Sequence, residues 1–453
     1  MSRYRMSDSR RKPMLARIAV FALLLSTSSV RADDWPQYLG PKRDGVWRET
    51  GVIEKFPDGG PKVKWRVPVG AGYTGPAVAN GRVFVMDRVL AGGAKNHAEP
   101  FPMRPKDGIP GVERVLCFNE ADGKLLWKHE YDCPYTVSYP LGPRCTPTVD
   151  GDRVYTLGTK GNLICLDATT GKVHWSRELK KDYNVKAPLW GFSAHPLVDG
   201  NRLITLVGGD DSVAVDFDKL TAKEVWKALT AMEPGYSPPV IFEANGKRQV
   251  IVWHSEGVNG LDPETGKVLW SQPAETYRGM SVSQPIFAGD KLFITGYPKT
   301  AAMLQIKADP PSADVLWRGE KKNAIYSVFS TPQVDGELIY GVNSGGTLCC
   351  IRAGNGERVW ESLKPHGPKP LASAEIFIVR NGPRYFLANE SGDLIIAKLS
   401  EKGYDEISRA HLLDATSSGF GRQVLWSHPA FADRCAYMRN DKELICVSLA
   451  DSP

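Results

Sequence analysis

Seven copies of one stretch organise this chain, and the intact copy Gly161-Asn162-Leu163-Ile164-Cys165-Leu166-Asp167-Ala168-Thr169-Thr170-Gly171-Lys172-Val173-His174-Trp175 shows what it builds. The apolar run reads as a strand, the segment from Asp167 to Lys172 supplies turn formers with a glycine where positive φ is cheap, and Val173 begins a return strand. The copies occupy residues 115–127, 163–175, 213–226, 258–270, 303–317, 348–360 and, decayed, 394–407. Their tryptophans, from Trp127 to Trp360, lie 48, 51, 44, 47 and 43 residues apart. A strand-rich unit with a period in the forties is the mark of a propeller blade.

Inner strands are expected after small-residue leads, most with proline, at Thr74, Thr146, His195, Ser237, Ser283, Thr331, Ser373 and Ser427, which makes eight blades. Proline suits that position because its φ is preset and no ladder N–H is yet required. The two ends of the chain carry complementary defects. Residues 64–69 resemble a return strand with no hairpin before it, and the last repeat stops after 444–449 without an outer strand. The sequence therefore predicts an all-β, eight-bladed β-propeller of four-stranded antiparallel blades, its ring closed by the N-terminal strand. A Gly- and Pro-rich insertion at 88–111, carrying His97 and Glu99, separates two strands of blade one and reads as a surface loop.

Residues 1–32 have a basic front, a short apolar core at 18–25 and a small-residue cleavage pattern at Val30-Arg31-Ala32, the composition of an export signal. The expected mature chain is one propeller domain, 33–453, in the periplasm or secreted, with no lipidation cysteine at the cleavage point and no transmembrane segment. The signal holds seven of the 57 Lys and Arg residues and one of the 51 Asp and Glu, leaving 50 of each sign. The excess positive charge belongs to targeting, which speaks against a nucleic-acid partner. We expect a monomer.

Eight cysteines in an exported chain invite a disulfide reading. Cys117, Cys165, Cys350 and Cys446 fall at one position of the repeat, however, and read as buried thiols. Cys349 and Cys350 share a strand and point to opposite faces, so no bridge is expected between them. Cys133 with Cys145 and Cys435 with Cys446 are the candidate bridges.

The unit Leu-Asp-x-x-Thr-Gly-Lys-Val-x-Trp, intact at 166–175 and 261–270, resembles the tryptophan-docking repeat of the pyrroloquinoline-quinone propeller superfamily. That resemblance implies the propeller fold and an exported compartment. It covers noncatalytic periplasmic propellers, such as the outer-membrane assembly lipoprotein B, and also quinone- and calcium-dependent oxidoreductases. The oxidoreductases are expected to carry an early vicinal Cys–Cys pair and a Glu, Asn and Asp calcium set. Here the one adjacent pair is Cys349-Cys350, inside a blade-six strand, and no calcium constellation is legible. The reading is a noncatalytic binding scaffold without a cofactor; the alternative is an oxidoreductase holding pyrroloquinoline quinone and calcium.

Connections leading into the inner strands are aromatic and basic. Arg144, Trp190, His195, Tyr236, Arg278, Tyr326, Arg422, Trp426 and His428 hold similar places in successive repeats, so the fold would gather them around one funnel. Aromatic faces beside guanidinium groups suit a small anionic or planar ligand, or an envelope protein. The structural alternative is that the aromatics plug the channel and the arginines pair with neighbouring acids.

Overall fold

Strands pair in eight four-stranded antiparallel sheets that follow one another round a ring. The computed structural model describes residues 1, 33–96, 108–320 and 323–451. The expected export signal and the His97 and Glu99 part of the blade-one insertion lie outside the described residues. Inner strands begin two or three residues after each lead: Ala77–Ala79, Thr148–Asp150, Leu197–Asp199, Val240–Ala244, Ile286–Ala288, Gln333–Asp335, Ile376–Asn381 and Ala430–Ala432. Blade eight is completed by Cys435–Arg439, Glu443–Ser448 and the N-terminal strand Val63–Pro68, with Trp65 opposite Cys446. Among the described residues, helix is confined to Leu179–Asp182 and a 3-10 turn at Tyr277–Gly279. None of these is long enough to cross a membrane.

Each residue type of the repeat has a local task. Asp167 Oδ1 accepts hydrogen bonds from the backbone N–H groups of Thr169 (3.0 Å) and Thr170 (2.8 Å) and from the Thr170 hydroxyl (2.8 Å). Those bonds tie the turn. Gly171 then takes φ +72° directly against the Trp127 ring of the preceding blade, where a Cβ would lie 2.5 Å from the ring. The Trp127 Nε1–H donates to the carbonyl of Ala168 (3.1 Å), and Trp65, Trp175, Trp226, Trp317 and Trp360 donate in the same way to Glu120, Lys219, Pro263, Ala353 and Ser400. Every such tryptophan thus packs an apolar face on the next blade while its one polar atom is satisfied. Trp270 departs from the pattern. Its partner across the strand is Gly260, which leaves room for the indole, and its Nε1–H donates to Gln249 Oε1 (2.6 Å) within its own blade.

All eight outer strands carry a bulge one residue before the tryptophan position, as where Cys165 faces Trp175 but Leu166 faces Val173. Cys117, Cys165, Cys350 and Cys446 are the cross-strand partners of Trp127, Trp175, Trp360 and Trp65. All eight cysteines are buried free thiols. Neither candidate pair is bridged: Cys133 and Cys145 pack in separate clusters, whereas Cys435 and Cys446 share a cluster as neighbouring thiols in contact with each other.

Residues 34–47 form a turn-rich lead-in before the closing strand. It crosses one end of the ring and bonds to most blades. Trp35 pairs with Val78 of blade one, Pro36 accepts from Val149 of blade two, and the Arg43 guanidinium donates to Pro196 and His195 of blade three. Gln284 of blade five donates to the Arg43 carbonyl (2.6 Å), Tyr38 meets Thr331 of blade six (3.1 Å), and Trp47 donates to Arg380 of blade seven (2.8 Å). The central channel is closed at that end.

The docking geometry predicts a contrast between two left-handed glycines. Gly171→Ala and Gly151→Ala both place a side chain at positive φ, but only Gly171 faces a tryptophan ring; nothing lies within 4 Å of Gly151. Urea unfolding should show Gly171→Ala to be the more destabilising by about 1–3 kcal/mol, the scale of overpacking. Equal losses would mean that the tryptophan does not rest on that turn.

Candidate functional site

With one end closed, the other end of the channel opens as a blind cavity of about 660 Å³. Its floor is built from Tyr38, His195, His428 and Phe377. The Tyr38 and His195 rings stack at 3.9 Å with a 4° tilt, and His428 stands edge-on to both, at 4.8 and 5.6 Å. Thr146 fixes the two imidazoles: its N–H donates to His195 Nδ1 (3.0 Å), and its hydroxyl lies 2.7 Å from His428 Nε2. Burial drives both rings to the neutral form. His428 falls to about 3, and His195 falls well below its ordinary value, with the adjacent His428 and Arg43 adding to the effect.

The wall is aromatic. Trp426 is its centre, 5.0 Å from Phe329, 5.6 Å from Tyr139 and 6.2 Å from Phe420, and Trp190 packs on Tyr236 at 5.6 Å. Tyr277 and Phe420 remain about half exposed at the mouth. Tyr139, Ser373 and Phe420 all line the cavity at φ near +50°, and Arg278 beside it does the same. Strain of that kind, about 1–3 kcal/mol per residue, gathers at binding clamps and active sites.

Of the nine residues predicted for the funnel, Arg144, Trp190, His195, Tyr236, Trp426 and His428 line the cavity. Arg278 stands exposed outside the lining, its guanidinium 5.3 Å from the Tyr277 ring. Tyr326 lies outside too, its hydroxyl bonded to the Glu320 carbonyl (2.9 Å). Arg422 forms a forked pair with buried Glu390, at 2.8 and 3.0 Å. Arg144 lines the wall, but it donates to the carbonyls of Ser138 (2.8 Å), Tyr139 (2.6 Å) and Gly142 in its own loop.

Two acids and a tyrosine escaped the sequence reading because they belong to no repeat. Glu390 accepts from Arg422, Trp426 (3.1 Å) and His366 (3.2 Å). Burial would raise its pKa, but those bonds outweigh burial and hold it below the ordinary carboxylate range. Glu375, behind the floor, accepts from the N–H groups of Phe329 and Ser330 (both 3.2 Å), and burial pushes it up to about 8. Tyr38, from the lead-in, supplies part of the floor.

The residues lining the cavity include no Asp, Glu or Asn, so the Glu, Asn and Asp calcium set that would accompany a quinone is not met there. Among the described residues no three His, Cys, Asp or Glu side chains converge as metal ligands. Cys349 packs between blades five and six and Cys350 between six and seven, and neither lines the cavity.

The neutral floor gives a pH signature. Both histidines have folded pKa values below the unfolded value of about 6.5, so acid favours the unfolded chain. The histidines' contribution to stability should be full above pH 6.5 and fall progressively as the pH drops toward 3, opposed by the single carboxyl of Glu375, which, raised to about 8, costs stability as the pH rises from about 4.3 toward 8. Thermal melts from pH 7 to 4 should show this decline, and His428→Gln should flatten it; an unchanged slope in the variant would show that the floor does not titrate this way. Arg422→Ala, which strands a buried carboxylate, should lose about 3 kcal/mol at pH 7.

Comparison with known proteins sets this site in a family. The family model described as outer membrane protein assembly factor BamB matches residues 111–362 and 305–451. BamB of Burkholderia pseudomallei is 27% identical over 269 residues, which cover 55% of this chain and 63% of that relative's length. Among solved structures, BamB from Moraxella catarrhalis aligns with a TM-score of 0.52 at 16% identity, covering 82% of this chain and 99% of that one. The quinohemoprotein alcohol dehydrogenase of Comamonas testosteroni aligns at 0.57 and 13% identity, covering 93% and 81%. At such identities the structural likenesses speak to the fold alone. The family match runs from the third strand of blade one to the closing blade, and the chain belongs to the PQQ-like repeat propellers of the outer membrane protein assembly factor BamB family.

Proposed function

We propose that this chain is a noncatalytic propeller of the cell envelope that serves outer-membrane protein assembly by holding a partner or ligand on its funnel face. The observation that carries the reading is the blind aromatic cavity, whose ionisable neighbours are spent on structure. Arg422 and Glu390 satisfy each other, Arg144 is turned onto its own loop, and the two histidines are neutral members of a packed floor. Such a site has aromatic surface for recognition and lacks an acid–base pair poised for proton transfer. The name of the family supplies the process.

On this reading residues 1–32 direct export, residues 33–453 work as one propeller in the periplasm, and the binding wall is Arg144, Trp190, Tyr236 and Trp426 over His195 and His428. The partner is an envelope protein or a small planar ligand. In the organism that carries it, deletion should lower the amount of β-barrel protein in the outer membrane, and the restored chain should bring it back. Purified mature protein given pyrroloquinoline quinone, calcium, an alcohol and a redox dye should show no turnover. Sustained dye reduction, or a deletion with no effect on outer-membrane proteins, would overturn the proposal.

A further inference from the structure

We infer that the cavity selects an uncharged, flat aromatic molecule bearing one hydrogen-bond-accepting oxygen. This goes one step beyond the funnel reading, on which it rests, by fixing the chemistry of what is held. Three observations lead to it.

The first is the donor at the floor. Thr146 N–H donates to His195 Nδ1, so the neutral ring carries its proton on Nε2. Tyr38 covers one face of that ring, and the side chain is only 8% exposed. Among the described residues nothing accepts the Nε2 proton. His195 lines the cavity, so this donor is open to it, and a ligand oxygen at the floor would take the place of water on the N–H.

The second is charge. Arg144 is the one Lys, Arg, Asp or Glu among the residues lining the cavity. Three carbonyl oxygens of residues 138–142 take three of its five N–H groups, and its guanidinium carbon lies 5.0 Å from the centre of the Tyr73 ring. An anion entering here would shed its water and find the one cation already embraced by carbonyl dipoles. A neutral ring sheds little.

The third is shape. About 660 Å³ bounded by Trp426, Phe329, Tyr139, Trp190 and Phe377 offers stacking and edge contacts on several sides, enough for two or three fused rings.

A matched set of fluorescent probes tests the inference: methyl 2-naphthoate, whose carbonyl is the accepting oxygen, its free carboxylate, and 2-methylnaphthalene, each titrated against the mature chain by tryptophan quenching. The ester should bind tightest. The carboxylate should bind at least about tenfold more weakly, because its charge is not compensated. The hydrocarbon should bind about fivefold more weakly, because the floor donor stays unmet. In His195→Phe the ester should lose its advantage over the hydrocarbon while both still bind. If that variant does not fold, the three probes on the unaltered chain still decide. A carboxylate that binds as tightly as the ester, a hydrocarbon that equals it, or no binding by any probe would overturn the inference. None of those results would touch the deletion phenotype, which judges the assembly reading separately.

Discussion

The structure depends on one contact repeated round the ring: an outer-strand tryptophan laid over the hairpin turn of the next blade. A four-stranded blade cannot bury both its faces alone, so its stability is borrowed from its neighbours. The indole supplies a large apolar face and satisfies its N–H on a turn carbonyl, which fixes the angle between blades as well as their contact. Because each tryptophan acts forward, the last blade must act on the first. The chain can arrange this only by giving the last blade an outer strand from its beginning, so that Trp65 rests on Gly123 and the carbonyl of Glu120. Closure leaves no blade without a neighbour on either side.

Where the repeat has decayed, another part of the chain makes up the loss. Blade seven has Ser408 at the tryptophan position. Its hydroxyl accepts from the backbone N–H of Phe56 (3.0 Å), and Phe56, Ala410 and Leu412 share a cluster with the closing blade. The segment before the closing strand thus patches the junction that lacks an indole, and on its way there it seals the channel.

Legibility followed the same division. Blade number, closure and the cysteine positions could be read because each is a local task repeated at a fixed period: Asp ties the turn, Gly permits it, Trp docks, Cys packs opposite Trp. The cavity was half legible. Placing aromatic residues and histidines before inner strands was enough to gather Trp190, His195, Tyr236, Trp426 and His428. What the sequence hides is which side chains satisfy one another over long range. Arg422 and Glu390 are 32 residues apart in different connections, and Tyr38 reaches His195 from far outside the repeats. Phe192, two residues after Trp190 in the same connection, packs instead in the core between blades two and three, beneath Gly161. No periodicity separates an aromatic residue facing a cavity from one facing a core.

Sealing the channel decides what kind of binder the propeller can be. An open channel would place water against His195 and His428 from both ends, and without that burial both rings would protonate at mildly acid pH. The lead-in supplies that burial with Tyr38 and Arg43, and in the same stroke turns a passage into a cup with one mouth. The mouth is held open by residues at φ near +50°, Tyr139, Ser373, Phe420 and Arg278, each in a conformation that the packed blades must enforce. Strain of that origin resists movement. On the proposed reading a ligand would meet a preformed shape, so the ordering cost on binding would be small and selectivity would come from what the walls refuse to solvate. An aromatic wall and neutral imidazoles solvate a charge poorly. The blades that dock by tryptophan thereby set, through the rigidity they confer, the chemistry that the mouth admits.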